Sequence, residues 1–134
     1  MANARDATGI MPHKFLILGS TGTGKTSQFL TLPGKKFAYL FDPNALLTLR
    51  GNDIEYEEFY ASDLSLDANS LSASKTGDKH MSNVRSDVYL RWEKDFEARL
   101  TGGFFDTVDV IAMDSCTTLL DLIMDRILTI NGRA

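Results

Sequence analysis

At 134 residues, 43% of them apolar and 24% charged, the chain has the length and composition of one globular domain with a single core. A net charge of −4 excludes a whole-surface basic footprint for nucleic acid or anionic membrane, though not a local basic patch. The single cysteine, Cys116, cannot form an internal disulfide, no apolar run reaches the length of a membrane span, and the opening stretch lacks a signal peptide's apolar centre. A soluble, cytoplasmic protein with no membrane partner is expected.

Residues 1–13 read as a flexible lead-in, closed by Pro12 and His13. The core then runs over 14–134. Lys14 to Leu18 is an apolar run that predicts a first strand, and a helix from about Gly24 to Leu32 is stopped by Pro33-Gly34. Phe37 to Phe41 predicts a second strand, ended by the turn signal Asp42-Pro43-Asn44. Ala45 to Leu49 suggests one helical turn, and Ile54 to Tyr60 alternates as a third, partly exposed strand. From 62 to 86 the composition turns to Ser, Thr and Asn with few large apolar residues, and a mobile loop is expected.

Beyond it, Asp87 is a fitting N-cap for a helix with Val88, Trp92, Phe96 and Leu100 in one apolar stripe, ended by Gly102-Gly103. Trp92 lies on that stripe and reads as packing, not as a base-stacking platform. The charged residues from Arg91 to Arg99 read as the solvated face. Val108 to Ser115 predicts a buried strand that finishes on a carboxylate. Thr117 to Ile130 predicts a last helix with Leu119, Leu120, Ile123, Ile127 and Ile130 inward. Strands alternating with helices imply an α/β fold, a parallel sheet with helices on both faces.

Between first strand and first helix stands Gly19-Ser20-Thr21-Gly22-Thr23-Gly24-Lys25-Thr26, which matches the phosphate-binding template G-x-x-x-x-G-K-[ST] at every fixed position. Gly19, Gly22 and Gly24 allow backbone N–H groups to close on a polyphosphate, and the helix opening at Lys25 turns its positive end to the same anion. Lys25 supplies a point charge to the outer phosphates, Thr26 a hydroxyl ligand to Mg²⁺, and Ser27 continues the binding segment. ATP and Mg²⁺ are the expected ligands.

A magnesium ion needs further oxygen ligands, and an aspartate at the end of an apolar strand commonly provides one. Val110-Ile111-Ala112-Met113-Asp114 fits, so Asp114 is the second metal candidate; the competing role is a helix cap. Asp109 and Asp106 read as markers of that strand's start. Hydrolysis also needs a group that orients or deprotonates water. Asp42 is a candidate, and equally the first residue of an Asp-Pro turn. Asn44 can position water but takes no proton, and Ser115 adjoins the metal aspartate. His13 and His80 have no ligand-spaced partners, and Cys116 reads as a small buried residue.

Taken together, Lys14 to Thr26, Thr31-Leu32-Pro33-Gly34, Tyr39-Leu40-Phe41-Asp42 and Ile111-Ala112-Met113-Asp114-Ser115 resemble the RecA-like P-loop ATPases. They look most like the phage-encoded AAA/RecA-type group of recombination and single-strand annealing. The resemblance covers about residues 14–130, with 62–86 unmatched. It implies that Lys25 contacts phosphates and that Thr26 and Asp114 (the Walker A and Walker B positions) serve Mg²⁺. It further implies ATP-driven handling of single-stranded DNA, a homo-oligomer, and a host-cell cytoplasmic setting if phage-encoded. Two departures stand out. Where the family carries a water-activating glutamate, this chain has Asn44. The strand that the family inserts between the first and the Asp114 strands comes from later sequence, so the resemblance implies an N-terminal portion of the fold with a gap in its sheet. Self-association is the expected consequence.

The leading expectation is an ATP-binding NTPase module acting in DNA recombination or annealing, with Lys25, Asp42 and Asp114 as catalytic candidates. The alternatives are a small-molecule or nucleotide kinase, with 62–86 as a lid, and an ATP-sensing module with negligible turnover. A GTPase lacks its Asn-Lys-x-Asp base-reading motif here.

Overall fold

The computed structural model describes residues 12–20, 22–60 and 77–132, the last stretch with side chains from 84 onward. In chain order its elements are α1 (Lys25–Thr31), β1 (Lys36–Leu40), α2 (Ala45–Leu49), β2 (Glu55–Glu58), α3 (Gly77–Thr101), a 3-10 turn at Phe104–Thr107, β3 (Val110–Asp114) and α4 (Cys116–Ile130). The three strands form one parallel sheet in the order β2-β1-β3.

β1 is the centre because it is apolar on both faces, as a strand covered on both sides must be. Its alternate residues feed two cores. Phe37, Tyr39 and Phe41 pack with Phe59, Val88 and Trp92, and with Leu119 and Leu122 of α4. Ala38 and Leu40 pack on the opposite face with Phe29 of α1 and with Ala45 and Leu49 of α2. α3 and α4 therefore cover one face and the two short helices the other, an α/β architecture. The first core is largely aromatic, with edge-on pairs such as Phe37–Tyr39 and Phe41–Trp92.

Three expectations need correction. Lys14–Leu18 forms no strand. β1 already has both neighbours, and β3 pairs with β1 alone among the described residues, so no described ladder runs beside the segment. Its side chains are left in solvent, with Phe15 70%, Leu16 71% and Leu18 81% exposed. Second, residues 77–86 are helical and not loop; the rest of the expected mobile segment, 62–76, lies outside the described residues. The Ser/Asn-rich start of α3 has weak intrinsic propensity, and among the residues whose side chains are described Arg85 and Ser86 tie the helix to α4. There Ser86 is buried and accepts a hydrogen bond from Arg126 Nη1 at 3.4 Å, and Arg85 pairs with Asp125 at 3.3 Å.

Third, α4 turns a different face inward. Leu119 and Leu122 are buried and Ile123 packs against them, while Leu120, Ile127 and Ile130 are exposed. At 100° per residue, Leu119 and Leu122 point toward α3, whereas Leu120, Met124 and Ile127 form a separate exposed stripe. The stripe of α3 is closer to expectation: Val88 and Trp92 are buried and Phe96 packs beside them, but Leu100 is exposed.

The charged residues of α3 are more than a solvated face. Arg99 lies over the rings of Phe37 and Phe104 at 4.7 and 4.6 Å and bonds Asp95 and Glu57, each at 2.7 Å. Asp95 also accepts from the Tyr39 hydroxyl at 2.9 Å. Burial, and then the Asp95 bond, push the Tyr39 phenol well above its ordinary pKa.

Candidate functional site

The carboxyl end of β3 delivers Asp114, in register with Leu40 at the end of β1. The Phe41 amide donates to the Asp114 carbonyl at 2.6 Å and fixes the two strand ends together. Onto this edge comes the start of α1, held by Phe29 in the core beneath. Thr26 thereby donates its hydroxyl to Asp114 Oδ2 at 2.5 Å, a half-buried bond between residues 88 positions apart. The two residues singled out as metal candidates are direct neighbours.

The loop before α1 is curled by its glycines. Gly22 and Gly24 have φ of 79° and 80°, a left-handed region costly for other residues. At Gly19 the constraint is space, because a Cβ would sit 2.7 Å from Thr23 Oγ1. The Thr23 hydroxyl donates to the Ser20 carbonyl at 2.8 Å. Lys25 folds back over the loop and donates from Nζ to the carbonyls of Gly19 and Ser20, at 2.8 and 2.6 Å. Ser27 is exposed on α1, and Thr21 lies outside the described residues.

The remaining candidates stand apart from this contact in role. Asp42 Oδ1 accepts from the Asn44 amide at 2.9 Å and its carbonyl from the Ala45 amide at 3.1 Å, so Asp42 organises the turn into α2. Asn44 is the exposed N-cap residue of α2. Ser115 caps α4 by accepting from the Thr118 amide at 3.3 Å. Cys116 is exposed on the first turn of α4, which overturns its assignment as a buried residue. Asp109 closes the far end of the sheet, where its Oδ2 accepts from the Lys35 amide at 2.7 Å.

One carboxylate escaped the sequence reading. Glu58, the last residue of β2, is in register with Leu40 and so in one row with Asp114. Its Oε1 is buried with no hydrogen-bond partner. The available signal was its place at the carboxyl end of the third expected strand, where such sheets gather ligands.

Chemically, a hydroxyl and a carboxylate oxygen side by side are the hard donors Mg²⁺ prefers. No group of three His, Cys, Asp or Glu side chains suited to a metal occurs among the described residues. An ion at Thr26 and Asp114 would therefore fill most of its shell with water and the oxygens of a bound anion, as magnesium does with phosphates. None of the described helices is long and apolar enough to cross a membrane. Comparison with protein-family models, with curated proteins and with solved structures finds no match.

Proposed function

We propose that this chain is a Mg-ATP-binding P-loop module, a RecA-like NTPase unit serving DNA recombination or single-strand annealing. The observation that carries the nucleotide reading is the Thr26–Asp114 contact, which joins the loop to the strand-end carboxylate. A chance Gly-rich turn has no reason to meet an aspartate 88 residues away. DNA as partner and a homo-oligomeric state rest on the resemblance of the motifs alone.

In this reading the amides around Gly22 to Thr26 and the Lys25 ammonium bind the phosphates. Lys25 leaves the Gly19 and Ser20 carbonyls for the anion, exchanging neutral acceptors for charged ones. Thr26 and Asp114 would hold the metal through the oxygens that now bond each other, and the ion would supply charge neutralisation to the bound phosphates. Asp42 is engaged by its own turn and Asn44 is no base, so without another carboxylate the module binds but hardly turns over.

The test is titration of Mg-ATP and Mg-GTP, with and without single-stranded DNA, while phosphate release is followed. Lys25→Ala is expected to weaken ATP roughly ten- to a hundredfold, the worth of one or two charge-assisted bonds. Asp114→Asn is expected to blunt the Mg²⁺ dependence of binding. Unchanged affinity in Lys25→Ala would sink the assignment.

A further inference from the structure

Three donors converge on one carbonyl of the phosphate loop. The Ser20 oxygen accepts from Lys25 Nζ at 2.6 Å, from the Thr23 hydroxyl at 2.8 Å and from the Thr23 amide at 3.4 Å. The Gly19 carbonyl accepts from the same ammonium at 2.8 Å. A carbonyl has two lone pairs, so the Ser20 oxygen is crowded while Lys25 lies on it. When Lys25 turns to the phosphates, both carbonyls lose that donor. The Thr23 hydroxyl is then the shorter of the two remaining ties between residues 20 and 23.

That tie matters because of what the loop is made of. Gly22 and Gly24 have left-handed φ, and glycine loses more backbone freedom on ordering than any other residue. Unless its curl is fixed beforehand, such a loop is ordered at the expense of ligand affinity. The Thr23 side chain fixes the curl in two ways. Its Oγ1 bonds Ser20, and it also closes the space over Gly19, where a Cβ would come within 2.7 Å of that same oxygen. Gly19 itself has no positive φ, so space and not backbone angle is what Thr23 takes from it.

We infer that the Thr23 hydroxyl is a positioning group for the phosphate loop, holding the curl from Gly19 to Thr23 while Lys25 exchanges carbonyls for phosphate. The inference rests on the nucleotide reading above and adds to it a side chain at a variable position of the template. The hydroxyl touches no phosphate; it acts through the backbone that it restrains.

The experiment measures Mg-ATP affinity by calorimetric titration of the full chain, and the thermal midpoint without nucleotide. Thr23→Ala is expected to weaken binding about fivefold, the worth of one net hydrogen bond. The midpoint of the empty chain should not move, because Thr23 is exposed. Thr23→Ser, which keeps the hydroxyl, should recover most of the lost affinity. Thr31→Ala removes the same kind of bond, Thr31 Oγ1 to the Gln28 carbonyl at 2.7 Å, from the far end of α1 and should leave affinity unchanged. Gly19 gives a second readout. An alanine there meets Thr23 Oγ1 in the parent, but once that oxygen is removed its nearest neighbour is Thr23 Cβ at 3.6 Å. Gly19→Ala should therefore cost more affinity alone than in the Thr23→Ala background.

Unchanged affinity in Thr23→Ala overturns the inference, as do equal losses in the Ala and Ser variants or strictly additive effects at residues 19 and 23. A lowered midpoint in Thr23→Ala overturns it too, by making the bond part of the fold. A parent that binds no Mg-ATP removes the nucleotide reading itself, and with it this role.

Discussion

Single residues here carry opposing demands of burial and polarity, and Tyr39 illustrates the balance. The phenol is fully buried on the aromatic face yet reaches Asp95, which Arg99 neutralises. Its folded pKa is raised above the ordinary 10.0, so the folded state holds the proton more tightly than the unfolded chain. The resulting stabilisation is complete below pH 10 and is lost as the pH climbs toward the folded value. Tyr89, shifted in the same direction by burial and by Glu93, adds to the effect. Tyr39→Phe should cost about 1 kcal/mol at neutral pH and flatten the alkaline decline, as measured by urea unfolding across the pH range. Gly34 poses a steric demand. Its φ is 91°, and a Cβ would come within 2.5 Å of Asp109 Oδ2, the oxygen that holds the Lys35 amide. Gly34→Ala should therefore lower stability by about 2 kcal/mol in the same assay.

At the scale of elements, α4 offers the sharpest comparison. Leu122→Ala opens a cavity at a position 2% exposed and should cost 2–5 kcal/mol. Leu120→Ala, two residues earlier and 63% exposed, should change stability by no more than about 0.5 kcal/mol. Thermal or chemical denaturation of both variants decides the matter. The helix itself was legible in the sequence from its apolar spacing, but its cap was not, since Asp114 was the residue given the cap alternative and Ser115 turns out to make it. Its inward face was not legible either, because α4 is apolar on two sides and periodicity alone does not say which side has a partner. β1 was plain for the complementary reason: only a strand between two layers is apolar at consecutive positions. The helical state of residues 77–86 was hidden because the contacts seen there, Ser86 with Arg126 and Arg85 with Asp125, join residues forty positions apart in sequence. Within the site, the glycine pattern, Lys25, Thr26 and Asp114 could all be read from template and context. The orphan oxygen of Glu58 could not, since burial of one atom depends on packing that no spacing encodes.

For the whole molecule, the surface left uncovered matters as much as the core. Phe15, Leu16 and Leu18, with Leu120, Met124 and Ile127 on α4, expose large apolar side chains. A net charge of −4 gives little repulsion against association through them. Concentration-dependent self-association is expected in sedimentation velocity, and the pair Leu16→Asp and Leu120→Glu should shift the distribution toward monomer. An unchanged distribution would assign association to another surface. The topology also bears on how the chain matures during synthesis. β1 lies in the middle of the sheet, but its aromatic side is finished only by Trp92 and Leu122. A nascent chain that has emerged as far as Tyr60 has both earlier strands and the loop in hand, yet lacks the cover for Phe37, Tyr39 and Phe41. Through much of translation those rings have no native lid, and an incomplete chain carries its largest aromatic surface into solvent until α3 and α4 have emerged.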